Sequence, residues 1–327
     1  MLTNILNRSS LTVSSIAAIV TIAGFASAAQ AQVKADGSST VFPLTERAAS
    51  DFQKSSGKKV TVGVSGTGGG FKKFCKGETD ISNASRPILE KELKVCREAG
   101  IKFIEIPIAM DALTIVVNPS NRINDISTAD LKKIWDTGSS VKKWNEANSS
   151  FPDLPIKLFG PGADSGTFDY FTEAINGKAK QSRTDFTGSE DDNVLVQGVS
   201  RDKNALGYFG FAYYQKNKSR LKALSVNGVS PSLQNVTNGT YRPLSRPLFV
   251  YVNAEKLKNN GDLRAFVEAY LNGATDIANK VGYLPLPGSV YNVGKKHLAD
   301  GKTGTRFDGK EPTSLKISEL EKMEPKD

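Results

Sequence analysis

Histidine is nearly absent from this 327-residue sequence: His297 is the only one, and it is accompanied by just two cysteines and two tryptophans. One histidine with Cys75 and Cys96 does not supply the ligand set of a zinc site, so no metal and no cofactor is expected. A serine hydrolase would also lack its base. His297 stands in a polar Lys-Lys-His-Leu setting and reads as a solvated surface residue. No glycine-rich stretch ends in Gly-Lys-Ser/Thr, which excludes a nucleotide P-loop. Ser165 lies in Gly162-Ala163-Asp164-Ser165-Gly166, which is not the G-x-S-x-G nucleophile elbow. A dense Lys/Arg stripe is missing, so nucleic acid is a poor partner. Beyond the N-terminus there is no apolar run of the roughly 20 residues that a membrane-spanning helix needs.

What is present suits a soluble, two-domain chain. Hydrophobic residues make up 39% and charged residues 24%, enough for a packed core at a length too great for one ordinary domain. Residues 1–31 read as a secretory signal peptide. Arg8 is the basic start, 16–25 are mainly apolar, and Ala26-Ser27-Ala28 and Ala29-Gln30-Ala31 are small-residue cleavage signals, with the cut expected after Ala31. Those residues carry only Arg8, so the remainder has a charge of +8, a balance that favours anionic ligands. In an oxidising compartment Cys75 and Cys96 are expected to pair. The bridge would close a loop of about 20 residues, worth roughly 3 kcal/mol in the chain-entropy account. Two separate buried thiols are the alternative.

Short β-rich runs at 60–64, 101–107, 113–118, 156–159 and 248–253 alternate with helical patterns at 43–53, 70–76, 90–99, 128–135, 167–175, 193–199 and 262–271. The alternation predicts α/β lobes with largely parallel sheets. Two apolar strands ending in Asn118 and Asn253 read as crossings between lobes. They give a division into 32–113 with 250–327 as lobe 1 and 114–249 as lobe 2. The tail after His297 is polar and is expected to wrap the surface or to be partly mobile.

Three places lead small hydroxyl and glycine residues straight into a helix: Asp36-Gly37-Ser38-Ser39-Thr40-Val41-Phe42-Pro43, Ser65-Gly66-Thr67-Gly68-Gly69-Gly70-Phe71 and Asp164-Ser165-Gly166-Thr167-Phe168. The first amides of a helix have no internal partner, and the dipole is positive there. Glycine admits a close ligand, and hydroxyls add neutral donors, so a tetrahedral oxyanion fits between such ends. The hydroxyls and glycines of these three loops, Ser39 and Gly68 among them, are therefore candidate contacts. One such loop alone is ordinarily a helix cap; three loops spread over both lobes point to a shared cleft. Arg86, in Asn83-Ala84-Ser85-Arg86-Pro87, is the candidate cation, able to grip a phosphate by two parallel hydrogen bonds. Asp191, Asp192 and Asn193 precede another helix and read as its cap.

At these residues the chain resembles the phosphate-binding proteins of Pst-type ABC transporters, in the manner of the cyanobacterial branch. The resemblance rests on the ordered motifs just quoted, together with Leu206-Gly207-Tyr208-Phe209-Gly210 and Arg246-Pro247-Leu248. It implies a type II periplasmic-binding-protein fold of two α/β lobes joined by two hinge strands. It also implies a monomer exported to the periplasm, without catalysis, that binds inorganic phosphate and docks on membrane permease subunits. Carried over, Thr40 and the Val41 amide bind from the first loop, Thr67 from the second, and Ser165, the Gly166 amide and Thr167 from the third. The sequence departs from the family where an arginine precedes the serine by four residues, since Pro161 stands there, and where an aspartate is replaced by Ser85. The expectation is that Arg86 takes the cationic role. The carboxylate that accepts the phosphate's proton is then Asp111, with Asp164 second. Another oxyanion, such as sulfate or a phosphonate, is the nearest rival ligand; a serine hydrolase using Ser165, or a phosphate sensor that docks no transporter, are the more distant readings.

Overall fold

The computed structural model describes Met1 and residues 32–312, 315 and 317–327; the signal-peptide reading lies outside the described residues. In chain order the strands are β1 (Val33–Gly37), β2 (Val60–Val62), β3 (Ile81–Ala84), β4 (Phe103–Ala112), β5 (Thr114–Val117), β6 (Asp125–Ile126), β7 (Lys157–Pro161), β8 (Thr187–Ser189), β9 (Ala205–Phe209), β10 (Lys222–Ala223), β11 (Ser225–Val226) and β12 (Ser245–Asn253). They form two five-stranded sheets, ordered β2-β1-β3-β12-β4 and β10-β5-β9-β7-β8, with β6 and β11 as a separate pair. The chain leaves the first sheet at the end of β4, enters the second one residue later at β5, and re-enters the first through β12.

The sheets are mixed rather than largely parallel. β1 runs parallel to β2 and β3, and β7 parallel to β8 and β9. β12 is antiparallel to both β3 and β4, because the returning chain inserts in the opposite direction. β4 continues past Pro107, where the sequence pattern suggested a stop. Pro107 has no amide to donate, and the register against β12 slips there, between Leu248 and Phe249, so a bulge absorbs it.

Helices cover the sheets with faces spaced three and four residues apart. In Phe42–Ser56, Pro43 occupies the first turn, while Leu44, Ala48, Ala49 and Phe52 are buried; Gly57, left-handed at φ 72°, ends the helix. Phe52 meets Phe266 of helix Gly261–Val281 edge to face at 5.5 Å. That helix runs ten residues beyond expectation, since Ala274, Ile277 and Ala278 extend its buried stripe past Gly273. Beside the second sheet, Trp135 of helix Thr128–Trp135 packs edge-on against Phe171 and against Tyr208 of β9, at 5.8 and 5.0 Å. Each such pair contributes about 0.5–1.5 kcal/mol beyond its buried area and fixes the helix Gly166–Phe171 that carries the third glycine loop. No helix among the described residues is long and apolar enough to cross a membrane. Cys75 and Cys96 are joined in a disulfide that ties helix Glu90–Glu98 to the end of helix Gly66–Phe74.

The tail differs from a loose surface wrap. Thr305, Arg306 and Phe307 are buried, and Glu105 of β4 accepts hydrogen bonds from Thr305 Oγ1, the Arg306 amide, Arg306 Nη1 and Tyr251. His297 is likewise not solvated: it is buried with Nδ1 2.9 Å from Arg306 Nη2, and burial lowers its pKa. A charged residue near the start of β4 needed a partner, and the polar tail provides it.

Candidate functional site

The first loop leaves β1 at Gly37 and turns at once into its helix, with Ser38, Ser39 and Thr40 all buried. Two tyrosine hydroxyls hold its backbone, Tyr213 donating to the Ser39 carbonyl at 2.9 Å and Tyr283 to that of Thr40 at 2.8 Å. In the third loop Ser165 caps its own helix by accepting from the Thr167 amide at 3.1 Å. Across the gap between the sheets, Thr40 Oγ1 and Thr167 Oγ1 stand 3.0 Å apart. The second loop completes the set. Thr67 Oγ1 accepts from the Ser85 amide at 3.1 Å, and a methyl group placed on Gly166 would lie 2.5 Å from Thr67 Oγ1 and 2.7 Å from Ser85 Oγ. The three loops therefore meet at one point, with Thr40, Thr67 and Thr167 fully buried.

The cation at that point is Arg246, not Arg86. Arg246 donates from Nη2 to Thr167 Oγ1 at 2.7 Å and to Thr40 Oγ1 at 3.4 Å, and from Nη1 to the Gly166 carbonyl at 3.0 Å. It faces Asp111 in the β12–β4 register and pairs with it at 3.1 Å. Arg86 is committed elsewhere: Nε to Asp169 at 2.7 Å, Nη1 and Nη2 to Glu92 at 2.8 Å each, and Nη1 also to the Pro87 carbonyl. Burial works against its charge, but Glu92 and Asp169 overcome this and raise its pKa. Its donors tie the end of β3 to the third loop's helix and to helix Glu90–Glu98.

Three further expectations change. The Gly68 amide is spent on the Asp164 carbonyl at 2.7 Å. Asp164 itself is partly exposed and pairs with Lys72. Asp111 lies at the site, yet both its oxygens are occupied, Oδ1 by the Phe211 amide at 3.0 Å and Oδ2 by Arg246. Burial raises its pKa in spite of Arg246. Arg246 was legible only as a motif residue, because its meaning depends on its register opposite Asp111. Asp169 and Glu311 escaped sequence reading, while Ser85 was legible only as a departure from the family and Asp192 only as part of a helix cap.

Glu311, from the tail, has both carboxyl oxygens buried without a hydrogen-bond partner. Burial lifts its pKa to about 8 against the attraction of Arg86, with Asp169 and Glu173 pushing in the same direction as burial and Arg246 opposing them. Below its ordinary value of 4.5 it is protonated in both folded and unfolded chains. Between that value and about 8 only the folded chain holds the proton, so this contribution to stability is lost as pH rises through the window, at up to about 1.4 kcal/mol per pH unit. Glu311→Gln is therefore expected to gain several degrees of melting temperature over the wild type at about pH 8 and to gain little at about pH 5. Parallel thermal melts across that range check it; a constant offset would rule it out.

The sequence from 25 to 272 matches the family model of a PBP superfamily domain. It is 53% identical over 307 residues to Protein SphX of Synechococcus elongatus, spanning 91% of this chain and 90% of that one. The chain belongs to the SphX/PstS family. A further relative is the Phosphate-binding protein PstS of Staphylococcus saprophyticus, 38% identical over 294 residues and covering 86% and 89% of the two chains. Among solved structures, a Clostridium perfringens protein with bound phosphate superposes with a TM-score of 0.69 at 25% identity, covering 79% of this chain and all of that one. The two mixed sheets are those of the type II periplasmic-binding-protein fold.

Proposed function

We propose that this protein captures inorganic phosphate at the meeting point of its three glycine loops and passes it to the permease subunits of an ABC importer. The observation that carries the reading is the convergence of Thr40, Thr167 and Arg246 from three chain-distant segments within hydrogen-bond range of one another, all of them buried. A desolvated cluster of hydroxyls, helix-start amides and one guanidinium stabilises a small oxyanion far better than it stabilises itself. The hydroxyls of Ser39, Thr40, Thr67, Ser85, Ser165 and Thr167, the amides of Val41 and Gly166, and Arg246 form the binding set. All of β12 pairs within the first sheet, so the expected boundary at 249/250 moves to 244/245: residues 32–113 with 245–327 make one lobe and 114–244 the other, hinging at the β4–β5 crossing and at the entry to β12, and ligand binding closes them. The protein works as an exported, periplasmic monomer, without catalysis and without a nucleic-acid partner. Support against the hydrolase reading is that His297 bonds Arg306 in the tail while Ser165 caps a helix.

Calorimetry of the purified protein with phosphate, arsenate and sulfate at neutral pH tests this. Phosphate and arsenate are expected to bind, and excess sulfate to leave the phosphate isotherm unchanged. Equal affinity for sulfate would replace the ligand; no heat with phosphate would end the proposal.

A further inference from the structure

Successive side chains on a helix point about 100° apart, and the helix Gly166–Phe171 uses this to send its last three residues to three different partners. Asp169 pairs with Arg86, and Phe171 stacks on Tyr208 with ring centroids 3.9 Å apart. Tyr170, between them, faces Arg246. We propose that Tyr170 is the positioning residue for Arg246: its ring supports the guanidinium, and its hydroxyl fastens that support to the start of β12. This rests on the phosphate reading above.

The hydrogen bonds of Arg246 leave from the edge of the guanidinium: Nε and Nη2 to Asp111, Nη1 to the Gly166 carbonyl, and Nη2 also to Thr167. Donors of this kind lie in the plane of the group, so its faces are left for packing. The Tyr170 ring takes one face, with Arg246 Cζ 5.5 Å from its centroid. The negative face of an aromatic ring attracts a cation, most strongly where water is excluded. Here Tyr170 is 2% exposed and Arg246 1%. Without the ring, the guanidinium would keep its edge contacts and lose what holds its plane.

The Tyr170 hydroxyl donates to the Ser245 carbonyl at 2.7 Å and to that of Pro243 at 2.9 Å. A phenol has one hydrogen, so the two carbonyls share it. They flank Leu244, on either side of the lobe boundary at 244/245, and Ser245 immediately precedes Arg246. Atoms beside a hinge move least when lobes close. The ring is therefore in place under the guanidinium before the anion arrives, and binding costs little rearrangement of the cation.

The experiment is phosphate calorimetry on the wild type, Tyr170→Phe, Tyr170→Leu, and proteins carrying mono-, di- or trifluorinated phenylalanine at position 170. Fluorine drains negative charge from the ring face while nearly keeping its shape, so a ring that only fills space gives no trend. Tyr170→Phe is expected to bind about 5-fold more weakly through loss of the hydroxyl, and Tyr170→Leu about 100-fold more weakly than the wild type. Each added fluorine is expected to weaken binding further, to roughly 10-fold below Tyr170→Phe at three, with ligand-free melting temperatures level across the series. A flat fluorine series, or a leucine variant as tight as the phenylalanine one, overturns the support given by the ring. An unchanged Tyr170→Phe overturns the fastening by the hydroxyl. The fluorinated series decides alone if the leucine variant does not fold. A wild type that binds no phosphate overturns the phosphate reading and this proposal with it.

Discussion

Replacing Arg246 by methionine is expected to weaken phosphate binding by roughly 1000-fold or more, measured by calorimetry at low ionic strength. The guanidinium is 1% exposed and spends its donors on Thr40, Thr167, the Gly166 carbonyl and Asp111. A methionine fills much of the volume but leaves Asp111 as an uncompensated buried carboxylate, a loss of about 3–5 kcal/mol. The arriving anion would then face a negative group where it now meets a positive one. The double variant Arg246→Met with Asp111→Asn removes that stranded charge; it is expected to recover the melting temperature without recovering the affinity. Recovery of binding in the double variant would mean that Arg246 only neutralises Asp111. Arg86→Met serves as the contrast. It takes from Glu92 its ion-pair partner and leaves Asp169 with Lys180 alone, and so costs stability, but it removes no donor from the point where the three loops meet.

The contrast between the two arginines marks where sequence reading works and where it stops. The three glycine loops were legible because their chemistry is local: hydroxyl, glycine and helix start lie within a few adjacent residues, and the backbone geometry follows from them. The alternation of strands and helices was legible for the same reason. Arg86 looked like the cation because it follows a polar run after a glycine loop. Its actual partners are Glu92, six residues away, and Asp169, which only the packing of two sheets brings within reach. Arg246 carries no local signal beyond preceding an apolar strand. Its place is fixed by the β12–β4 register, which sets it opposite Asp111, 135 residues earlier. The polar tail misled through composition alone, since a Lys- and Gly-rich stretch hides the one arginine that Glu105 requires.

Gly166→Ala is expected to lower the stabilisation that phosphate confers by about 3 kcal/mol while leaving the melting temperature of the ligand-free protein within about 1–2 °C of the wild type. Gly166 is ordinary in its helix, where alanine is the better helix former, so a local account forecasts a slight gain. The packing forecasts the opposite for the liganded state. The new Cβ would stand 2.5 Å from Thr67 Oγ1 and 2.7 Å from Ser85 Oγ, both on the facing sheet's loops and both buried. Neither is the end of a flexible chain, and Thr67 is further held by the Ser85 amide. Relief therefore comes from separating the loops, which also draws the Thr167 hydroxyl away from Thr40. If the lobes hinge open without ligand, the open form never meets this clash, and the whole penalty falls on closure; a loss of 3 kcal/mol corresponds to roughly 100-fold in affinity. Thermal melts with and without saturating phosphate separate the cases. A ligand-free protein destabilised as much as the liganded one would show that the two sheets are packed this closely at all times, and that phosphate enters a preformed site without lobe closure.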